Sequence, residues 1–398
     1  MIGESTVLAA GIVLIVGIIG GRLVNYIKLP SVTGYIVAGL IVGPSVFNIL
    51  SEDLLNSLEP VNTMALGVIA ITIGGELTVD RFRMIKKKIP PIFFAEIFIT
   101  FALVTIVMYV LSGSVPLAIV LGVLSLATAP AAIMSILKEY KAKGEFSRLL
   151  ISLVALDNLL CIVGFGIVVS MLRVLFYQSI EPESHVLIAI FGEFLLSLLI
   201  GVGLGFMLVF VNRFSFTEDK LLSVNLGTVL LAVGFAEVFD LPSLLIAMLM
   251  GITVTNFLPN PQLFFKLFQR VEIPILIVFL TLAGAKLNLG IIDQVGVMAL
   301  GYIIARLIGK IFGSRIGAIF SKDMEPSYRK NIGIALTPQA GVAIGLAVLA
   351  EDKLPVEDGV IITIILSTVI FFELVGPILV KKALQNCEVL EECEMLEK

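Results

Sequence analysis

Apolar residues fill this chain in long, nearly unbroken runs rather than in the spaced stripes of a water-facing helix. Runs of about eighteen or more recur, the length a helix needs to cross a bilayer core at ~1.5 Å rise per residue. The pattern predicts thirteen spans, at 5–26, 31–50, 62–79, 89–112, 115–137, 147–175, 186–211, 220–239, 242–258, 271–290, 293–319, 331–350 and 357–382. Two are interrupted internally. Pro130 falls within the fifth and Pro338 within the twelfth, and a proline removes a backbone donor and clashes with the preceding turn, so both helices are expected to break there. Freed backbone groups at membrane depth are tolerated only against protein or a polar cavity.

The polar residues between the spans alternate in sign. Arg22 and Lys28, the Arg81–Lys88 cluster, Lys138–Arg148, Arg213 and Lys220, Lys266 and Arg270, Lys322–Lys330, and Lys381 with Lys382 follow spans 1, 3, 5, 7, 9, 11 and 13. The intervening loops are acidic or poor in Lys and Arg. By the positive-inside rule the amino terminus is expected outside, the carboxyl terminus in the cytoplasm, the loop Lys138–Arg148 inside and the loop Glu181–His185 outside. A multi-pass protein of the cell membrane is the reading. The first span starts after Glu4 with no basic stretch before it, which suggests a retained helix rather than a cleaved signal.

Two local patterns occur twice. Leu29-Pro30-Ser31 opens span 2 with Gly39 nine residues after its proline, and Leu241-Pro242-Ser243 opens span 9 with Gly251 at the same distance. Thr128-Ala129-Pro130-Ala131-Ala132 breaks span 5, and Thr337-Pro338-Gln339-Ala340-Gly341 breaks span 12. Both offsets are seven spans, an odd number, so the two six-helix halves are expected to be inverted, with span 7 as linker. Inverted repeats with paired broken helices belong to secondary transporters, whose ion site lies near the midplane.

Composition narrows the class without changing it. Of 398 residues, 58% are apolar and 15% charged, and the mean hydropathy is +1.09. The net charge of −4 says little, since the signs are segregated by loop. Three cysteines give neither a disulfide framework nor a zinc spacing. No cofactor and no nucleic-acid partner are expected.

Charges inside spans are costly, roughly 2.5–3.5 kcal/mol each on insertion scales, so each needs a partner or a wet path. Asp157 in span 6, Lys310 in span 11 and Glu373 in span 13 all fall about ten residues, or ~15 Å, from a span end, near the midplane. Arg306 is one turn from Lys310 on the same face. Glu76, Glu237, Asp240, Glu272 and Lys286 lie nearer span ends, where snorkelling or rim pairs account for them. Glu96 and Glu193 have no assignment from depth alone.

At these residues the chain resembles the monovalent cation:proton antiporter superfamily, of bacterial Na+/H+ antiporter and potassium-efflux exchanger type. LPSVTGYIVAGLIVGP (29–44), ATAPAA (127–132), Arg306-Leu307-Ile308-Gly309-Lys310 and Leu336–Ala343 carry the likeness. It implies an all-α membrane fold in which a core domain (89–175 and 293–382) moves against a dimerisation domain (1–79 and 220–290). The linker helix is 186–211 and the cytoplasmic tail 383–398. It further implies a homodimer, elevator-like alternating access, and exchange of Na+, with Li+ or K+ as alternatives, for H+. By resemblance the ion and proton site comprises Asp157, Asn158, Thr128 and Lys310, with Asp157 and Asn158 as Na+ ligands. Glu373, Arg306 and Thr337 are secondary candidates, and Pro130 and Pro338 mark the crossing breaks.

One departure matters. Electrogenic members of that superfamily carry two adjacent aspartates on span 6 and electroneutral ones Asn-Asp, whereas this chain has Asp157-Asn158. Asn158 can offer a carbonyl oxygen but no titratable proton. Asp157 is then expected to serve as partner of Lys310 and as carrier of both ion and proton. A cation on Asp157 would deprive Lys310 of its counter-charge and release its proton, with about one proton per cation. Asn158→Asp is expected to restore the two-carboxylate form. A Na+-coupled symporter or a K+/H+ exchanger on the same fold is the alternative. A channel would need a continuous pore, and an enzyme would need intramembrane His or a nucleophilic pair. His185 is read as a solvent-exposed loop residue, Gly201-x-Gly203-x-Gly205 as helix packing, and the acidic segment from Cys387 as an amphipathic end.

Overall fold

The apolar runs fold as α-helices throughout the described part of the chain. A computed structural model describes residues 5–26, 30–79, 88–142, 144–176, 183–214, 217–239, 241–321, 324–354 and 359–387. The sixteen α-helices among the described residues are α1 (Thr6–Tyr26), α2 (Ser31–Val42), α3 (Glu52–Ser57), α4 (Glu59–Gly75), α5 (Ile89–Ser112), α6 (Val115–Leu124), α7 (Pro130–Glu139) and α8 (Glu145–Phe176), then α9 (Glu183–Val211), α10 (Glu218–Val238), α11 (Ser243–Phe257), α12 (Pro261–Ala285), α13 (Ile292–Phe320), α14 (Pro326–Ala335), α15 (Gly341–Lys353) and α16 (Val360–Asn386). Seven stretches among the described residues, in α1, α5, α8, α9, α10, α13 and α16, are long and apolar enough by themselves to cross a membrane; α2, α6, α11 and α15 are shorter apolar helices.

Two boundaries differ most from expectation, each for a local reason. Span 2 stops at Val42 because Gly43, which precedes Pro44, is extended, and a residue before proline is disfavoured in the helical region. The short α3 follows, capped by Ser51, whose hydroxyl accepts from the Leu54 N–H. The helix expected at 271–290 instead starts at Pro261 and runs through Pro274, so Lys266 and Arg270 sit on α12 and not in a loop. Proline is well tolerated in a first helical turn, where its missing donor costs nothing. Glu183, Ser184 and His185, expected in a loop, open α9 instead, and Glu181, most of the Arg81–Lys88 cluster, Lys138, Lys143 and Asp240 lie outside the described side chains.

The chain divides into two compact units. The first comprises 1–78, 162–290 and 348–363, and the second 79–161, 291–347 and 364–398. In the first unit both repeat glycines do the same job. A side chain at Gly39 of α2 would meet the Thr281 carbonyl of α12 at 1.9 Å, and one at Gly251 of α11 would meet the Ile71 carbonyl of α4 at 2.1 Å. Each glycine lets two backbones touch where any Cβ would hold them apart. Gly201 and Gly205 of α9 likewise take Ile246, Leu249 and Thr253 of α11 against their bare faces, so these two glycines of the triplet serve helix packing, while Gly203 meets nothing within 4 Å. Lys286 pairs with Glu59 at 3.8 Å, a rim ion pair, and Thr72 donates to Glu272 at 3.4 Å.

In the second unit, α5 and α13 lie along one another. Side chains at Gly309, Gly313 and Gly317 of α13 would strike the backbone of Thr100, Glu96 and Pro91 of α5 at 2.6, 2.8 and 2.3 Å. That four-residue spacing brings α5 close enough for Glu96 to reach the polar face of α13. An apolar cluster, with Phe146, Leu150 and Leu153 of α8, Ile332 and Ala335 of α14, and Ala383 and Leu384 of α16, packs the half-helices in place. Asn386 donates to Asn331 at 3.0 Å and ties the end of α16 to α14.

Candidate functional site

Spans 5 and 12 break where their prolines predict. α6 ends at Leu124 and α7 begins at Pro130; α14 ends at Ala335 and α15 begins at Gly341. The two unwound segments bond to each other directly, Ala129 N–H donating to the Pro338 carbonyl at 3.0 Å. A broken helix leaves carbonyls without partners at the end of its first half, and these carry partial negative charge.

Arg306 answers that charge. Its Nε donates to Ser125 O at 2.9 Å, Nη1 to Thr337 O at 2.5 Å, and Nη2 to Ala127 O at 2.7 Å and Pro338 O at 3.5 Å. One planar guanidinium thus reaches the carbonyls of both breaks, a geometry suited to the rigid fork of arginine. The Phe372 ring of α16 covers it at 4.5 Å. Gln339 adds a second tie, donating to Leu124 O at 2.9 Å and to the Tyr302 hydroxyl at 2.8 Å.

One turn along α13, Lys310 is fully buried and faces four oxygens. Its Nζ lies 2.8 Å from Asp157 Oδ2, 2.8 Å from Glu96 Oε1, 3.0 Å from Thr128 Oγ1 and 2.9 Å from Leu126 O. Thr128 donates its hydroxyl to the same Asp157 oxygen at 2.8 Å. Asp157 and Glu96 are each wholly buried, and their other oxygens, Asp157 Oδ1 and Glu96 Oε2, have no hydrogen-bond partner among the described residues. A buried ammonium with two carboxylates, and acceptor oxygens left over, can hold or exchange a cation and protons.

Asn158 has a different employment. Its Oδ1 accepts from Thr128 N–H at 3.3 Å, and its Nδ2 donates to Thr128 O at 2.7 Å and to Val154 O at 3.0 Å. The amide clamps the unwound segment to α8 with both ends, which only an amide can do. Thr337 contributes its carbonyl to Arg306, while its hydroxyl is spent on Ile334 O at 2.8 Å.

The structure therefore gathers Asp157, Asn158, Thr128, Lys310, Arg306, Thr337 and Pro338 into one buried cluster, with Pro130 opening the half-helix beside it. Glu373 is nearly buried on α16, next to Phe372, and makes no hydrogen bond or ion pair among the described residues. Glu96, Tyr302 and Gln339 were not singled out from sequence. The expectation that the site holds a single carboxylate is corrected: Glu96 is the second. A signal existed, since Tyr302, Arg306, Lys310 and Ser314 form a polar stripe at four-residue spacing, and Glu96 with Thr100 forms another.

Residues 11–385 match the family described as sodium/hydrogen exchanger, transmembrane. The chain belongs to the sodium/hydrogen exchanger family. No curated protein matches the sequence. Among solved structures, this exchanger-family chain is similar to the sodium proton antiporter MjNhaP1 from Methanocaldococcus jannaschii at pH 8, with a TM-score of 0.74 and 17% identity over 97% of this chain and 99% of that one. An electron-microscopy structure of the same antiporter gives a TM-score of 0.68 at 16% identity, covering 98% of each chain. At that identity the likeness establishes a shared fold; the family match and the long apolar helices make the chain a multi-pass membrane protein.

Proposed function

We propose that this sodium/hydrogen exchanger family member trades a monovalent cation, Na+ first, for H+, the two competing for Asp157. The observation that carries the reading is the buried Asp157–Lys310 contact at 2.8 Å beside two interlocked helix breaks. Charge arithmetic supports one-for-one exchange: a cation that takes the place of one proton at the site leaves the site's charge unchanged. Exchange of this kind develops no membrane potential.

The wider reading has thirteen crossings, inverted halves, an external amino terminus and a cytoplasmic carboxyl terminus. Transport proceeds by elevator-like alternating access in a homodimer, with the unit that bears Asp157 and Lys310 as the moving part. The matched roles of Gly39 and Gly251 support inversion, because span 2 meets span 10 at one and span 9 meets span 3 at the other, partners exchanged as a seven-span offset requires. Proteoliposomes with an imposed gradient of Na+, Li+ or K+ in turn, read for internal pH and for membrane potential, test the function. Cation-driven proton movement without a potential is expected. No proton movement with any of the three would reject antiport.

A further inference from the structure

We propose that Glu96 is the standing counter-ion of Lys310, so that the proton exchanged for the cation is carried by Asp157 itself while Lys310 stays an ammonium throughout. This rests on the antiport reading above and refines it. A lysine ammonium has three donors, and Lys310 has four oxygens around it. When Asp157 turns to a cation, Glu96 Oε1 at 2.8 Å, Leu126 O at 2.9 Å and Thr128 Oγ1 at 3.0 Å remain. Three acceptors for three donors, one of them a full negative charge, leave Lys310 satisfied without Asp157. The expectation that a cation strips Lys310 of its counter-charge therefore loses its premise.

The backbone supports the same assignment. Glu96 is held against α13 by the bare faces of Gly309 and Gly313, and Thr100 Oγ1 donates to its Oε1 at 3.3 Å, the oxygen that also faces Lys310. Arg306 does not compete for it, being engaged by four carbonyls of the two breaks. The proton balance is simple. In one half-cycle the cation displaces the proton from the Asp157 carboxyl, the O–H bond breaks, and the proton leaves to the side from which the cation came. In the other half-cycle the reverse occurs. Glu96 acts through Lys310, keeping the ammonium from locking Asp157, and is thus a positioning residue.

The test is a charge-deletion cycle in proteoliposomes, with Glu96→Gln, Lys310→Met and the double variant compared with wild type for the Na+ concentration giving half-maximal proton movement. In Glu96→Gln, Asp157 becomes the only carboxylate on Lys310, and that concentration is expected to rise about tenfold or more, as deletion of one close charge partner does elsewhere. Removing both charges together is expected to bring it back toward wild type. The Na+-dependent rise in Tm of each purified variant reads the same change in cation binding without transport. If Glu96→Gln does not fold, Glu96→Asp, with the charge on a shorter arm, is expected to show a smaller rise. A folded double variant with no cation-driven proton movement would overturn the proposal, because Lys310 would then be the proton carrier. So would a Glu96→Gln or, in its place, a Glu96→Asp variant indistinguishable from wild type. A wild type without any cation-driven proton movement would reject antiport itself, a separate result.

Discussion

The backbone N–H of Ala129 donates to the carbonyl of Pro338, so the two helix breaks form one hydrogen-bonded crossing rather than two separate defects. Arg306 completes that crossing with bonds to carbonyls from both sides. Arg306→Ala strands several buried carbonyls and is expected to cost about 3–5 kcal/mol, the scale for removing one partner of a buried charged network. Thermal unfolding in detergent reads this. Arg306→Lys, with fewer donors and no fork, is expected to fall between wild type and Ala. A Tm unchanged in Arg306→Ala would remove the arginine from its structural role.

Asn158→Asp is expected to weaken the protein, contrary to the gain of function its motif position suggests. A carboxylate at 158 can no longer donate to Thr128 O or Val154 O and would face both as like partial charges. Loss of those bonds is expected to cost about 1–3 kcal/mol. It should also slow exchange without making it electrogenic. A stable variant whose Na+ gradient generates a membrane potential would show that the second carboxylate belongs at position 158 after all.

Gly309→Ala should act on transport from outside the ion site. A Cβ there lies 2.6 Å from the Thr100 Cα, so α5 must shift and carry Glu96 away from Lys310. Overpacking of this kind is expected to cost about 1–3 kcal/mol. The half-maximal Na+ concentration should rise as well. Gly203→Ala, where nothing lies within 4 Å, is the control and should change neither.

Much of this was legible in the sequence, and the rest was not for identifiable reasons. Pro130 and Pro338 located both breaks, although proline alone does not decide them, since α12 runs through Pro274 and α16 through Pro377. Depth counted from span ends placed Asp157 and Lys310 at one level. Glu96 escaped because it lies only a turn or two into α5, and depth along one helix says nothing about the face its neighbours press upon. Its reach comes from glycines on a different helix, at 309 and 313. The role of Asn158 was hidden for the opposite reason: adjacency to Asp157 suggested shared ion chemistry, whereas its side chain points at the backbone of Thr128. Helix α12 began ten residues early because charged residues at its start look like a loop by hydropathy.

The most direct measurement is the Na+-driven pH change in proteoliposomes containing Asp157→Asn, alongside wild type and with folding verified by gel filtration and thermal unfolding. An amide at 157 can neither hold the exchanged proton nor attract the cation as a carboxylate does. Proton movement is therefore expected to fall to the level of empty liposomes while the protein remains folded. Wild-type exchange by the folded Asp157→Asn variant would contradict the account and make Glu373 the next residue to test.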